Sequence, residues 1–374
     1  SFYLIPFFLN ELIHKKFFFK KILKNKKLII SFIIMSIFII FASFNFIYIG
    51  NIGGGFFIKL NNIFFEGYIK YIILVLMSFI HLDGFTATSN TIQAKSLIDQ
   101  YGVRFSEINI GLLRDIYKNH LNEANYPIPN IIRDIPYGEH PLQALDLHLP
   151  KGKNSEKLPV ILFVHGGAFI KGDKSDHIIF DNVLNFFTRS NFIGVNINYR
   201  LAPEHKWPSG ADDIADSLKW IHDNADIYNI DEDKIFLMGH SAGAAHVASY
   251  TFDESLQLHD GNDGVVGSIL MSGVYSNVSE KSKNVYYGPN KNNIPINHLE
   301  GRFIPLFIID AEFDKLTMQM EAINLLQKVC RRDNLCPHHK QISGHNHYSM
   351  MYHFNTLDDS IATDILYFMK KYIQ

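Results

Sequence analysis

From residue 94 onward the chain alternates two hydrophobic patterns. Short unbroken apolar runs, such as Val160 to Val164 in "VILFVHG" and Ile235 to Met238 in "KIFLMG", are what strands buried on both faces require. Between them lie stretches whose apolar residues recur every three to four positions, as in "GADDIADSLKWIHDNA", which predict helices with one buried face. In order, "SLIDQYGVRFSEINIGLLRDIYKNHLNEA" predicts one or two helices. "IIRDIPYGEHPLQALDLHLP" alternates apolar and polar positions, with Leu145, Leu147 and Leu149 on one face, and predicts an antiparallel edge. Strand and helix then alternate through "VILFVHG", "HIIFDNVLNFFTRS", "FIGVNINYRL", "GADDIADSLKWIHDNA" and "KIFLMG". The series continues with "VVGSILMSG", "IPLFIIDAEFD", "MQMEAINLLQKVCRRD" and the extended "CPHHKQISG", and closes with a helix over "TLDDSIATDILYFMKKYI". Repeated strand–helix units of this kind predict an α/β fold, a mostly parallel sheet with helices on both faces. Residues 94–130 are a candidate helical cap beside that sheet.

Residues 1–93 follow a different pattern, dominated by Phe, Ile, Lys and Asn. Leu28 to Gly50 is uncharged, long enough to cross a bilayer, and preceded by a cluster of lysines from Lys15 to Lys27. Two readings stand. Either this extension is a membrane or export segment, which associates the protein with a membrane through residues 28–50, or translation begins at Met77 and the α/β part is cytoplasmic. The sequon Asn277-Val278-Ser279 is compatible with the first reading. The domain organisation expected is thus an extension, 1–93, and one α/β domain, 94–374.

Composition narrows the function. A formal net charge of -2 argues against a nucleic-acid partner bound through phosphate neutralisation. The two cysteines, Cys330 and Cys336, match no zinc or thioredoxin-type spacing, and either pair in a small loop or stay reduced. His338, His339, His345, His347 and His353 cluster in sequence, but no carboxylate or cysteine stands beside them at a metal-ligand spacing, so neither metal nor cofactor is expected.

Candidate chemistry sits where predicted strands end. After "KIFLMG" comes Gly239-His240-Ser241-Ala242-Gly243, the G-x-S-x-G pattern of a nucleophile on a tight strand-to-helix turn. After "VILFVHG" come Gly167 and Ala168, whose backbone N–H groups, with that of Ala242, are candidates for an oxyanion hole. After "PLFIIDA" come Asp310, Glu312 and Asp314; Asp314 lies far enough past the strand to orient an imidazole, while Asp310 is expected to satisfy local backbone groups. The loop "SGHNHYSMMYH" offers two bases, with His347 preferred for its aromatic neighbour Tyr348 and His345 as the alternative. The chain order Ser241, Asp314, His347 is that of α/β-hydrolases and differs from both serine-protease orders.

With these residues in view, the segment from about 130 to 373 resembles the α/β-hydrolase superfamily, in particular carboxylesterases near the hormone-sensitive-lipase and feruloyl/acetyl-esterase-like groups. The resemblance rests on "HGGAFIKGDK", "NYRLAPEHKWPSGADD", "GHSAGA", "AEFDKL" and "GHNHYSM". It implies an α/β-hydrolase fold, a Ser241–His347–Asp314 triad and cofactor-free hydrolysis of a small-molecule ester, with "YRLAPE" and the downstream acidic pair buttressing the active-site loops. HGGA in place of HGGG, and GHSAG in place of GDSAG, bring the chain near a group that includes arylformamidases, so an ester or a formyl amide is the expected scissile bond. A non-catalytic ligand receptor on the same fold is the rival of another class.

Overall fold

The computed structural model describes residues 93–102, 110–124, 126–152, 156–174, 176, 179–258, 262–276, 279–280, 283–299, 302–358 and 360–373. All of them fall in the second of the two units into which the chain divides, Phe85–Gln374. The expected extension with its 28–50 segment, the Met77 start and the first two sequon residues lie outside the described residues. Among the described residues no helix is long and apolar enough to cross a membrane.

Eight strands form one sheet: β1 Asn130–Pro136, β2 Ala144–Leu149, β3 Leu158–Val164, β4 Ile193–Ile197, β5 Ile230–His240, β6 Val265–Met271, β7 Leu306–Ala311 and β8 His338–Ile342, in the spatial order β1-β2-β4-β3-β5-β6-β7-β8. β1 pairs antiparallel with β2, and β2 antiparallel with β4; every later pair is parallel. The expected antiparallel edge leading into a parallel sheet is therefore present.

The unbroken apolar strands follow from two covered faces. Along β3, Leu162 and Val164 join a cluster with Ala211, Ile214 and Leu218 of α3 (Ser209–Asp223) and Ala244 and Val247 of the helix Ala242–Phe252. The alternating Ile161 and Phe163 point into a second cluster with Val183 and Phe187 of α2 (Phe180–Thr188) and Ile365 and Phe368 of the closing helix Ala362–Lys371. A strand side chain alternates faces every residue, so only a run that is apolar at each position can serve both layers. Each such side chain contributes about 1.5–3 kcal/mol by leaving water.

The candidate cap segment packs into the second cluster. Helical residues 93–101 supply Ala94 and Ile98, and α1 (Ile110–Ala124) supplies Leu113, Ile116 and Tyr117. Lys95 lies against Gly344, and Gly102 against Phe313. The segment thus borders the two loops in which the candidate base and acid reside. Farther along, α4 (Ala225–Tyr228) is a single turn, α5 is the helix Ala242–Phe252, α6 spans Leu316–Asp333, α7 Ser349–Tyr352 and α8 Ala362–Lys371. Cys330 and Cys336 are joined as a disulfide at the end of α6.

Two local expectations are corrected. The closing helix starts at Ala362 rather than near Thr356, because Thr356, Asp358 and Ser360 spend their side chains on turn hydrogen bonds. Asp310 serves side chains rather than backbone. As the strand neighbour of β8, it accepts from His339 Nε2 at 2.8 Å and Gln341 Nε2 at 2.7 Å.

Candidate active site

β3, β5, β6 and β7 run parallel, so their C-terminal ends share one edge of the sheet. At the end of β5, Ser241 has φ 56° and ψ -117°, a left-handed conformation that a residue with a Cβ rarely holds. Its N–H donates to Met271 O at 2.9 Å, which ties the turn to β6, and α5 begins at the next residue. The turn is tight enough that a side chain at Gly243 would run into the carbonyl oxygens of Val164 and His165 at the end of β3.

His347 stands between two partners. Its Nε2 lies 3.0 Å from Ser241 Oγ and its Nδ1 3.0 Å from Asp314 Oδ1. Asp314 is fully buried, and its second oxygen accepts from the Ser272 hydroxyl and from Ala311 N–H at 3.1 Å. A carboxylate only accepts, so His347 Nδ1 is the donor in that pair and Nε2 presents its lone pair to the Ser241 hydroxyl. Ser241 and His347 retain some solvent contact while Asp314 has none. The arrangement can therefore take a proton from Ser241 on its open side and stabilise imidazolium from its buried side.

His345 is placed elsewhere. It is fully buried, with Nδ1 3.1 Å from Ser349 Oγ and Nε2 3.2 Å from Ser360 Oγ. The other histidines of the sequence cluster take separate settings: His339 pairs with Asp310, His338 lies against the rings of Phe307 and Phe368, and His353 packs beside His345. Among the described residues no group of three or more His, Cys, Asp or Glu could hold a metal ion.

The turn after β3 carries three consecutive positive φ values, 145° at Gly167, 54° at Ala168 and 71° at Phe169. At Gly167 a Cβ would collide with the Lys171 carbonyl, so only glycine fits there. The N–H groups of Gly167, Ala168 and Ala242 have no hydrogen-bond partner among the described residues. Phe169 explains how the strained turn is held. Its ring stacks on Tyr286 at 4.5 Å and meets Tyr287 and His246 edge-on at 5.4 and 5.3 Å. Burial lowers the His246 imidazole to about 3, so the ring stays neutral inside this cage. The "YRLAPEHKWPSG" segment binds the same parts through its backbone: Ala202 N–H donates to Phe169 O at 2.9 Å, Trp207 N–H to Tyr286 O at 3.1 Å, and Gly210 N–H to Tyr286 Oη at 3.2 Å. Buried Asp213 fixes that segment by accepting from Arg200 N at 2.6 Å and Arg200 Nε at 2.8 Å. Past the turn, the ammonium of buried Lys174 bridges Asp134 and Asp146, both at 2.6 Å.

Sequence reasoning missed several of these supports. Ser272 directly follows β6 at the same sheet edge as Ser241, a positional signal that was available. His240 packs its ring 4.6 Å from that of His347, and burial, with the neighbouring His347 second, pushes its imidazole well below the usual histidine range. Tyr286 and Tyr287 come from a short helical turn, Lys283–Tyr287, with no periodicity to betray it.

The BD-FAE family model matches residues 145–263. Over 148 residues the chain is 30% identical to esterase LipC of Mycobacterium tuberculosis, a match that covers 38% of this chain and 36% of that protein. Over 127 residues it is 34% identical to the gibberellin receptor GID1 of Oryza sativa subsp. japonica, covering 32% of this chain and 34% of the receptor. The chain thus spans little more than a third of the length of these two relatives. Among solved structures, a hyperthermophilic esterase from the archaeon Pyrobaculum calidifontis superposes with a TM-score of 0.54 at 21% identity, over 71% of this chain and 94% of that one. The chain therefore has the α/β-hydrolase fold, residues 145–263 match the BD-FAE family model, and the chain is similar to esterases.

Proposed function

We propose that the protein is a serine hydrolase that cleaves small carboxylic esters through an acyl-enzyme intermediate. One observation carries the reading: a single imidazole, His347, stands 3.0 Å from both a hydroxyl on a strained turn, Ser241, and a buried carboxylate, Asp314. In the first step His347 Nε2 takes the Ser241 proton as Oγ attacks the ester carbonyl. Negative charge collects on the carbonyl oxygen, where the N–H groups of Gly167, Ala168 and Ala242 receive it. Losing one such donor costs about 3 kcal/mol of transition-state stabilisation. His347 then returns the proton to the departing alcohol, and water, activated by the same nitrogen, hydrolyses the acyl-enzyme. Asp314 holds the Nδ1–H tautomer throughout and stays ionised. No cofactor enters any of these steps.

The direct test is turnover of a short panel of p-nitrophenyl acyl esters by the full chain and by Ser241→Ala, with N-formylkynurenine as a further substrate. The reading predicts ester turnover that the alanine variant loses. Faster turnover of N-formylkynurenine would reassign the site to formamide hydrolysis. Well-folded protein with no turnover of any substrate would favour a ligand receptor on the same fold.

A further inference from the structure

The loop that carries His347 is organised by a second histidine two residues earlier. His345 Nε2 faces Ser360 Oγ at 3.2 Å and Asp358 Oδ2 at 3.4 Å. The Ser360 hydroxyl donates to Asp358 Oδ1 at 2.5 Å, so it is left to accept from His345, and Nε2 therefore carries its proton. On the other side of the ring Nδ1 meets Ser349 Oγ, which also accepts from Asn346 N–H at 2.9 Å. Through its backbone, His345 O accepts from Phe313 N–H at 2.9 Å, one residue before Asp314. One residue thus fastens the acid loop through its main chain and the turn before α8 through its side chain.

The rest of the loop is locked in the same way. Asn346 Oδ1 accepts from the N–H groups of Tyr348 and Ser349 at 3.0 and 2.9 Å. The His353 ring packs 4.7 Å from His345, and its Nδ1 donates to Ser349 O at 3.2 Å. His345, Asn346, Ser349, His353 and Asp358 are all buried, so none of them is placed to meet a substrate. Asp358 is held below the ordinary carboxylate range: burial works against its ionisation, but the hydrogen bond and charge of His345 outweigh it.

We propose that His345, braced by Asp358, is a positioning residue that sets the His347 imidazole between Ser241 and Asp314. The inference rests on the reading of His347 as the base. The His345 ring, the Ser349 hydroxyl and Asn346 Oδ1 are committed to bonds within the loop, while the His347 ring reaches across to the two elements it must join. A displacement of about 1 Å at a reacting group costs up to about a hundredfold in rate.

The test compares full-length His345→Leu, His345→Gln and Asp358→Asn with the parent protein and Ser241→Ala. Active sites are counted by the stoichiometric release of p-nitrophenol from a phosphate triester, and kcat per counted site, KM and Tm are measured on a p-nitrophenyl ester. His345→Leu is expected to lower kcat per site by about tenfold to a hundredfold with KM within about twofold. Asp358→Asn is expected to fall about tenfold. His345→Gln, whose amide nitrogen reaches toward Ser360, is expected to recover most of the loss. A role in folding alone would lower Tm and the number of titratable sites but leave kcat per site at the parental value. That result, in whichever of His345→Leu or Asp358→Asn folds, overturns the proposal while Ser241→Ala remains inactive. Retained turnover in Ser241→Ala would overturn the underlying reading instead.

Discussion

The molecule holds two buried His–Asp pairs on one loop system, His347–Asp314 and His345–Asp358, and they differ in what lies beyond the imidazole. Beyond His347 is Ser241, a hydroxyl on a strained turn that keeps some contact with solvent. Beyond His345 are Ser349 and Ser360, hydroxyls already committed to loop hydrogen bonds. The same three side-chain types thus occur twice, once gathered from distant segments and once within residues 345 to 360. A serine becomes a candidate nucleophile through backbone strain, access and neighbouring free N–H groups, and a His–Asp pair without those surroundings is a brace. Residue type alone does not separate the two.

The comparison is broken most sharply by neutralising each carboxylate in turn. Asp314→Asn is expected to lower kcat by about 10⁴-fold, because an amide no longer holds the Nδ1–H tautomer. Asp358→Asn is expected to cost only about tenfold. Equal losses in the two variants, measured as kcat per active site, would erase the distinction drawn between them. A second test moves to the turn after β3. Phe169→Ala empties the cage of Tyr286, Tyr287 and His246 and frees the positive-φ turn, so kcat/KM is expected to fall by about a hundredfold, with folding stability reduced by about 3–5 kcal/mol. Phe169→Trp is expected to retain more activity than the alanine variant.

The smallest effect concerns stability rather than rate. His246 is held near 3 in the folded state against 6.5 for the ordinary imidazole, so below about pH 6.5 the unfolded chain binds a proton that the folded one refuses. The stability that depends on neutral His246 is therefore complete above about pH 6.5 and is lost as pH falls toward 3, at about 1.4 kcal/mol per pH unit. Denaturant unfolding of His246→Gln at pH 7 and pH 5 is expected to show a pH dependence shallower by that one proton. An unchanged slope would place the titrating group elsewhere, since His148, His165 and His240 are likewise lowered by burial.

Much of this was legible in the residues. The strands could be read because a strand with two covered faces must be apolar at every position, as Ile161 to Val164 are. The Gly-x-Ser-x-Gly pattern and the glycines after His165 mark places where the backbone must bend closely, and such constraints write themselves into sequence. The choice between His345 and His347 was a matter of loop geometry, which depends on Asn346, Ser349 and Phe313 together rather than on either histidine. Ser272, Tyr286 and Tyr287 reach the site from separate segments, and no local period announces a residue whose role is to touch another. The late start of α8 was hidden for a related reason: Thr356, Asp358 and Ser360 are claimed by the His345 brace and its turn.

The most direct measurement of the central claim is peptide mapping of the full chain after reaction with a fluorophosphonate. One adduct is expected, on the peptide that contains Ser241, formed at a rate that Asp314→Asn sharply reduces and absent from Ser241→Ala. An adduct on any other serine, or unchanged labelling of Ser241→Ala, would contradict it.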